Sequence, residues 1–177
     1  MRNIPFPDAH FLRAAMGWTE LGNVIEAEAE LAQIKPAYRR HPDYLMMRWL
    51  VASERKDWLG CLDLARQLLA RVPKDDSGWI HHAYAMRRFF GGKAGVLLAY
   101  RALLPGARQC PESLLVHFNL ACYSAQLSTV HGLSASLAEA WEWFEKAANV
   151  AGGVKALKPM ALAEKDLEPL WGKIKGL

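Results

Sequence analysis

Histidine and cysteine are the side chains here best suited to proton transfer, nucleophilic attack or metal binding, and their spacing argues against each use. His81 and His82 are adjacent, and on a helix adjacent side chains point about 100° apart, whereas two histidines that hold one ion from a helix stand at i and i+4. No pair in the chain has that spacing. Cys122 follows His117 by five residues, so thiol and imidazole diverge on one helix and the thiol reads as buried and inert. His10, His41, His117 and His131 are isolated and read as capping, turn or surface residues. Cys61, Cys110 and Cys122 are odd in number and form no Cys-x-x-Cys pair, which disfavours a disulfide framework and a thiolate metal site and fits a reducing compartment. Gly91-Gly92-Lys93 lacks the remainder of a phosphate loop and the strand before it. Glu26, Glu28 and Glu30 read as a solvated helix face. No catalytic residue, metal or cofactor is therefore assigned.

The elements that carry these residues read as helices throughout. Asp8, after Pro7, opens a helix that it can cap with its carboxylate, with Phe11, Ala14, Ala15, Trp18 and Leu21 at helical spacing until Gly22-Asn23 ends it. Val24, Ala27, Leu31 and Ile34 mark a second helix, broken at Pro36. Pro42 starts a third, carrying Leu45, Trp49 and Ala52, and Arg55-Lys56-Asp57 forms a polar corner with Asp57 as cap. Trp58 to Met86 reads as helix, turn at Pro73, and helix. The chain turns again at Gly91-Gly92, continues through Val96, Tyr100 and Leu103, and starts another helix at Pro111. Ser128 to Ala135 reads as a loop, and Ser136-Leu-Ala-Glu139 as a capping box.

With 177 residues, 52% of them hydrophobic, the chain can bury roughly 70% of its unfolded surface without a disulfide or metal. The net charge of +4 comes from dispersed Lys and Arg, unlike the dense basic stripe of a nucleic-acid binder. No apolar run approaches the 18 residues or so of a membrane span, and the expected location is cytoplasmic.

Matched side chains recur at one interval. Ala15, Trp49 and Ala83 are 34 apart, as are Ala27 and Cys61, Phe11, Leu45 and Trp79, and Trp18, Ala52 and Met86. Partial fingerprints accompany the period: Trp79-x-x-His82-Ala83-x-x-Met86, Cys61-x-x-x-Ala65 with Pro73, and Ala140-x-x-x-Phe144 with Ala147. The period and these fragments resemble the tetratricopeptide repeat. Asn119-Leu-Ala-Cys-Tyr123 and Asp166-Leu-Glu-Pro-Leu-Trp171 are similar to the last repeat and the ending of bacterial members of that family. The resemblance implies an all-α, right-handed superhelical solenoid over residues 8–177, with hairpins at about 8–41, 42–74, 75–110 and 111–150 and a C-terminal cap at 154–177. It also implies a noncatalytic protein- or peptide-binding role for the concave face, lined by the first helix of each hairpin.

One step round from the buried stripe lie Leu12 and Met16, Met46 and Leu50, Ile80 and Tyr84, Phe118 and Cys122. They are expected to floor an apolar groove, with Arg87, Arg88 and Asn119 at its basic end. Such a groove suits an amphipathic helix or extended peptide, and methionines let it adapt. A carboxylate clamp is disfavoured because Leu12 and Met16 stand where the first hairpin would need Lys. Three other readings are open. The residues are simply core; the tail, with Leu167, Leu170, Trp171 and Ile174 on one helical face, or a second copy in a homodimer, occupies the groove; or Arg87, Arg88, Arg101 and Arg108, with Tyr84 and Tyr100 as stacking platforms, bind single-stranded RNA.

Overall fold

The computed structural model describes residues 3–129 and 137–176. His131, most of the expected loop and the Ser136 end of the capping box lie outside them. Among the described residues the structure is entirely helical, with ten α helices that pack in neighbouring pairs. The chain divides into two compact units, Met1–Pro73 and Lys74–Leu177.

The first unit contains α1 (Asp8–Glu20), α2 (Val24–Gln33), a 3-10 turn (Pro36–Tyr38), α3 (Pro42–Glu54) and α4 (Trp58–Arg71). Its turns follow from short-range chemistry. Gly22 takes a positive φ of 74° after α1, a backbone region that favours glycine. Asn23 then accepts the Glu26 N–H at 3.3 Å, and Asp57 accepts that of Gly60 at 2.9 Å. Caps of this kind contribute about 1 kcal/mol each. Asp8 behaves otherwise. Pro7 occupies the cap position of α1, and the Asp8 carboxylate is buried, accepting the Lys35 N–H at 2.7 Å with the Lys35 ammonium 3.7 Å away. A partner 27 residues distant has replaced the local role expected of it.

Ala15, Ala27, Leu31, Ile34, Tyr44, Met47 and Val51 form the core of this unit. Ala15 and Ala27 are fully enclosed, and Trp49, the large residue among small ones at its position, is buried too. The Cys61 thiol lies 3.7 Å from the Trp49 carbonyl oxygen, so the second helix of this hairpin comes close to α3 where the tryptophan sits. Burial and the nearby Asp57 charge push that thiol up to about 11, which keeps it protonated at neutral pH.

The second unit contains α5 (Asp76–Phe90), α6 (Gly92–Gln109), α7 (Leu114–Ser128), α8 (Leu137–Val150), α9 (Val154–Ala163), a 3-10 segment (Lys165–Leu170) and α10 (Trp171–Lys175). α5 packs on both α6 and α7, and α7 on α6, α8 and the 3-10 segment. Pro111 lies in the turn before α7, and Ser113 caps that helix by accepting the Val116 N–H at 3.1 Å. One cluster joins α5, α6 and α7 through Ala83, Ala99, Leu103, Val116 and Leu120. Another gathers Phe118, Ala121, Ala140, Phe144 and Ala147 with Leu157, Leu167, Leu170 and Ile174.

Gly95 occupies the position 34 after Cys61, and a Cβ there would stand 2.6 Å from the Arg87 carbonyl oxygen. That atom is helix backbone and cannot swing aside. Alanine ordinarily stabilises a helix interior over glycine by about 1 kcal/mol. Gly95→Ala is expected to do the reverse, with overpacking between α5 and α6 lowering stability by about 1–3 kcal/mol, read as a lower denaturation midpoint.

Candidate functional site

The expected groove residues fall in both units, Leu12, Met16, Met46 and Leu50 in the first and the other seven in the second. In the first unit Met16 is exposed and Met46 half-buried, while Leu12 and Leu50 are half-buried against the core. In the second unit, Tyr84, Arg87, Arg88, Asn119 and Cys122 line one cleft of about 450 Å³, together with Tyr123, Glu164 and Asp166. Phe118 departs from the expectation, being buried in the core; Cys122 belongs to the same core cluster while also lining the cleft, and Ile80, like Leu12 and Leu50, is half-buried against a core cluster.

Helix spacing explains why these side chains converge. Tyr84, Arg87 and Arg88 lie within one turn near the end of α5, and Asn119, Cys122 and Tyr123 within one turn of α7. Arg88 donates to the Tyr84 hydroxyl at 3.0 Å and lies 5.7 Å from the centre of its ring. Asn119 donates its side-chain N–H to the Leu115 carbonyl at 2.8 Å. Cys122 forms part of the wall but offers no nucleophile, because burial pushes its thiol far above the ordinary value.

Arg87 is no loose rim cation. It donates to Asp166 of the 3-10 segment, which also accepts from Gln126 of α7, and its guanidinium lies 5.7 Å from the centre of the Tyr123 ring. The Asp166 bond raises the Arg87 pKa further, against the opposing effect of burial. A second cleft, of about 590 Å³, adjoins the first at Arg87, Arg88 and Asp166 and runs past Gly91, Gly92, Lys93 and Lys165. Gly91 caps α6 with a φ of 66° and supplies no side-chain acceptor.

The tail meets the expected apolar face in a different form. Leu167 and Leu170 belong to the 3-10 segment and Ile174 to α10; all three are buried, whereas Trp171 is half-buried and donates its indole N–H to the Ala161 carbonyl at 3.0 Å. The segment packs on α7, so part of this helix is covered by the chain's own C-terminal residues.

The histidines divide as well. His81 is half-buried, and its Nδ1 lies 2.6 Å from the Ser77 carbonyl oxygen, an acceptor that places the ring proton on Nδ1. His117 is buried on α7 and stacks against Trp143 with ring centres 5.9 Å apart, which corrects its reading as a capping, turn or surface residue. Its sequence signal is positional: His117 stands 38 after Trp79, the same shift that separates Ala121 from Ala83. Among the described residues no three His, Cys, Asp or Glu gather as a metal ligand set, and no helix is long and apolar enough to cross a membrane.

Burial lowers the pKa of both His81 and His117, in the latter case aided by the Lys146 charge. The unfolded chain then takes up protons near pH 6.5 that the folded chain still refuses, so the fold loses stability as pH falls through 6.5 toward the lowered values. A lower denaturation midpoint is expected at pH 5 than at pH 7, with a shallower pH dependence in His117→Gln. Comparison with protein-family models, curated proteins and solved structures finds no match.

Proposed function

We propose that this chain is a noncatalytic protein- or peptide-binding module, a right-handed stack of about four tetratricopeptide-like hairpins acting in the cytoplasm. The observation that carries this reading is the convergence of Tyr84, Arg87, Arg88, Asn119 and Cys122, from α5 and α7, on one cleft. The 34-residue columns support the architecture, since Ala15, Trp49, Ala83, Ala27 and Cys61 are all buried. So does the packing of α1 on α3 and of α5 on α7, the arrangement in which first helices line a shared face. The cleft combines an aromatic ring, an amide and the Arg88 guanidinium, with Arg87 already held by Asp166 and Glu164 beside it, a set in which Arg88 can meet an acidic side chain of an extended peptide and Tyr84 an apolar one.

Selection of a displayed random peptide library on the immobilised protein tests this. Enriched sequences should carry acidic residues beside an apolar anchor and should lose at least tenfold in affinity for Tyr84→Ala and Arg88→Glu. Absence of enrichment, or equal affinity for the variants, would overturn the reading.

The tail supplies the specific observation behind a second reading, a structural or oligomerising module whose groove is already filled. Asp166 satisfies Arg87 and Gln126, and Leu167 and Leu170 are buried beside it. RNA binding has less behind it. Tyr100 is buried with its hydroxyl donating to Glu139, so it offers no stacking face, and Arg101 and Arg108 line a different cleft from Arg87 and Arg88.

A further inference from the structure

α6, α7, α8 and the turn at Pro111 and Glu112 border an open cleft of about 990 Å³, the one lined by Arg101 and Arg108. Its walls are apolar where Leu104, Pro105, Trp143 and Val150 face it, and Arg101, Arg108 and Lys146 stand around them with Glu112 as the opposing charge. Among the described residues none of these three cations forms an ion pair. The Lys146 ammonium lies 3.9 Å from the centre of the Trp143 ring. His117 lines the same cleft, is 5% exposed, and its Nδ1 is enclosed without a hydrogen-bond partner among the described residues. The features of this cleft that face a ligand are therefore its apolar walls and its three cations free of ion pairs, with His117 beside them as a buried ring whose surroundings a ligand would change.

We propose that this cleft binds a small organic anion, a carboxylate or phosphate carried on an apolar, preferably aromatic, body. The body would lie against Trp143 and Leu104, with the anionic group among Arg101, Arg108 and Lys146. The size falls in the range of small-molecule sites, and an apolar lining with a few convergent polar groups is their usual construction. Trp143, which His117 stacks upon at an interplanar angle of 19° and which has the Lys146 ammonium 3.9 Å from its ring centre, lines the cleft and gives the body an aromatic neighbour. This site is separate from the cleft of Tyr84 and Asn119 and stands whether or not that cleft takes a peptide.

Calorimetric titration of the full chain with 1-naphthoate, 1-naphthylmethanol and inorganic phosphate tests the proposal, with the His117 ring signals followed by NMR. Naphthoate should bind one to one, shift those signals, and bind at least tenfold tighter than the alcohol or phosphate. Arg108→Glu with Lys146→Glu, both at exposed positions, should weaken it at least tenfold, whereas Arg66→Glu in the first unit should leave it unchanged. Equal binding of the alcohol would remove the role of the cations, and equal binding of phosphate that of the apolar walls. Binding that leaves the His117 signals still, that is indifferent to the double charge reversal, or that is absent at millimolar naphthoate would each overturn the assignment.

Discussion

Phe144→Ala is expected to cost the second unit about 3–5 kcal/mol. Phe144 is fully enclosed on α8, with the Trp141 ring centre 5.1 Å from its own, and it belongs to the cluster that α7, α9, the 3-10 segment and α10 all share. Removing the ring leaves a void bordered by four elements held by their own packing, so little of it can close. For a unit of this size the loss corresponds to a fall of roughly 15–25 °C in the thermal transition. Phe89→Ala is the matching control: that ring is 47% exposed and pairs edge-on with the exposed Phe90, so its removal should change stability by less than about 0.5 kcal/mol. A loss below about 1 kcal/mol for Phe144→Ala would mean that the unit is not built around this residue.

Leu167→Asp should detach the C-terminal cap. A carboxylate at a fully enclosed position would have no partner, and relieving it by releasing the 3-10 segment and α10 surrenders the burial of Leu167, Leu170 and Ile174. At roughly 1.5–3 kcal/mol for each side chain, the cap is worth about 5 kcal/mol or more. Limited proteolysis should therefore cut the variant after residue 164 while α5 to α8 remain protected, and a dye that reports apolar surface should bind it. The same variant separates the two functional readings. If the tail is the natural occupant of the groove, its release should favour self-association or raise affinity for selected peptides. If the groove of Tyr84 and Asn119 takes peptides with the tail in place, affinity should hold or fall. Protease resistance equal to that of the parent chain would contradict the account of the cap itself.

The helices, most of their turns and the small-residue columns were legible because they are set by neighbours in sequence. Asp57 caps its helix within three residues of itself, and Gly22 and Gly91 adopt backbone angles that few other residues tolerate; Asn23, read only as the end of α1, also caps α2. Side chains whose surroundings come from distant chain segments were not legible. Asp8 stands at a helix start and invites a local role, yet its carboxylate serves Lys35. On α1, α3 and α5 the step round from the buried stripe still leads to partly open positions such as Met16, Met46 and Tyr84. On α7 it does not, because α6, α8 and the 3-10 segment cover that helix on several sides, and Val116 to Ala125 are buried at all but one position. A helix apolar all round has no inside and outside to read from periodicity. Phe118 thereby moves from groove floor to core, and His117 from surface to the wall of a cleft.

Arg87, Gln126 and Asp166 tie α5 to a segment 79 residues later, across the helices that lie between them in sequence. Linear arrays held only by adjacent neighbours fray from their ends, and their amide hydrogens exchange progressively sooner toward each terminus. Here the terminal stretch is laced back to the helix that begins the unit, so the amides of α5, α7 and α8 should exchange through one shared opening, with no gradient across this unit.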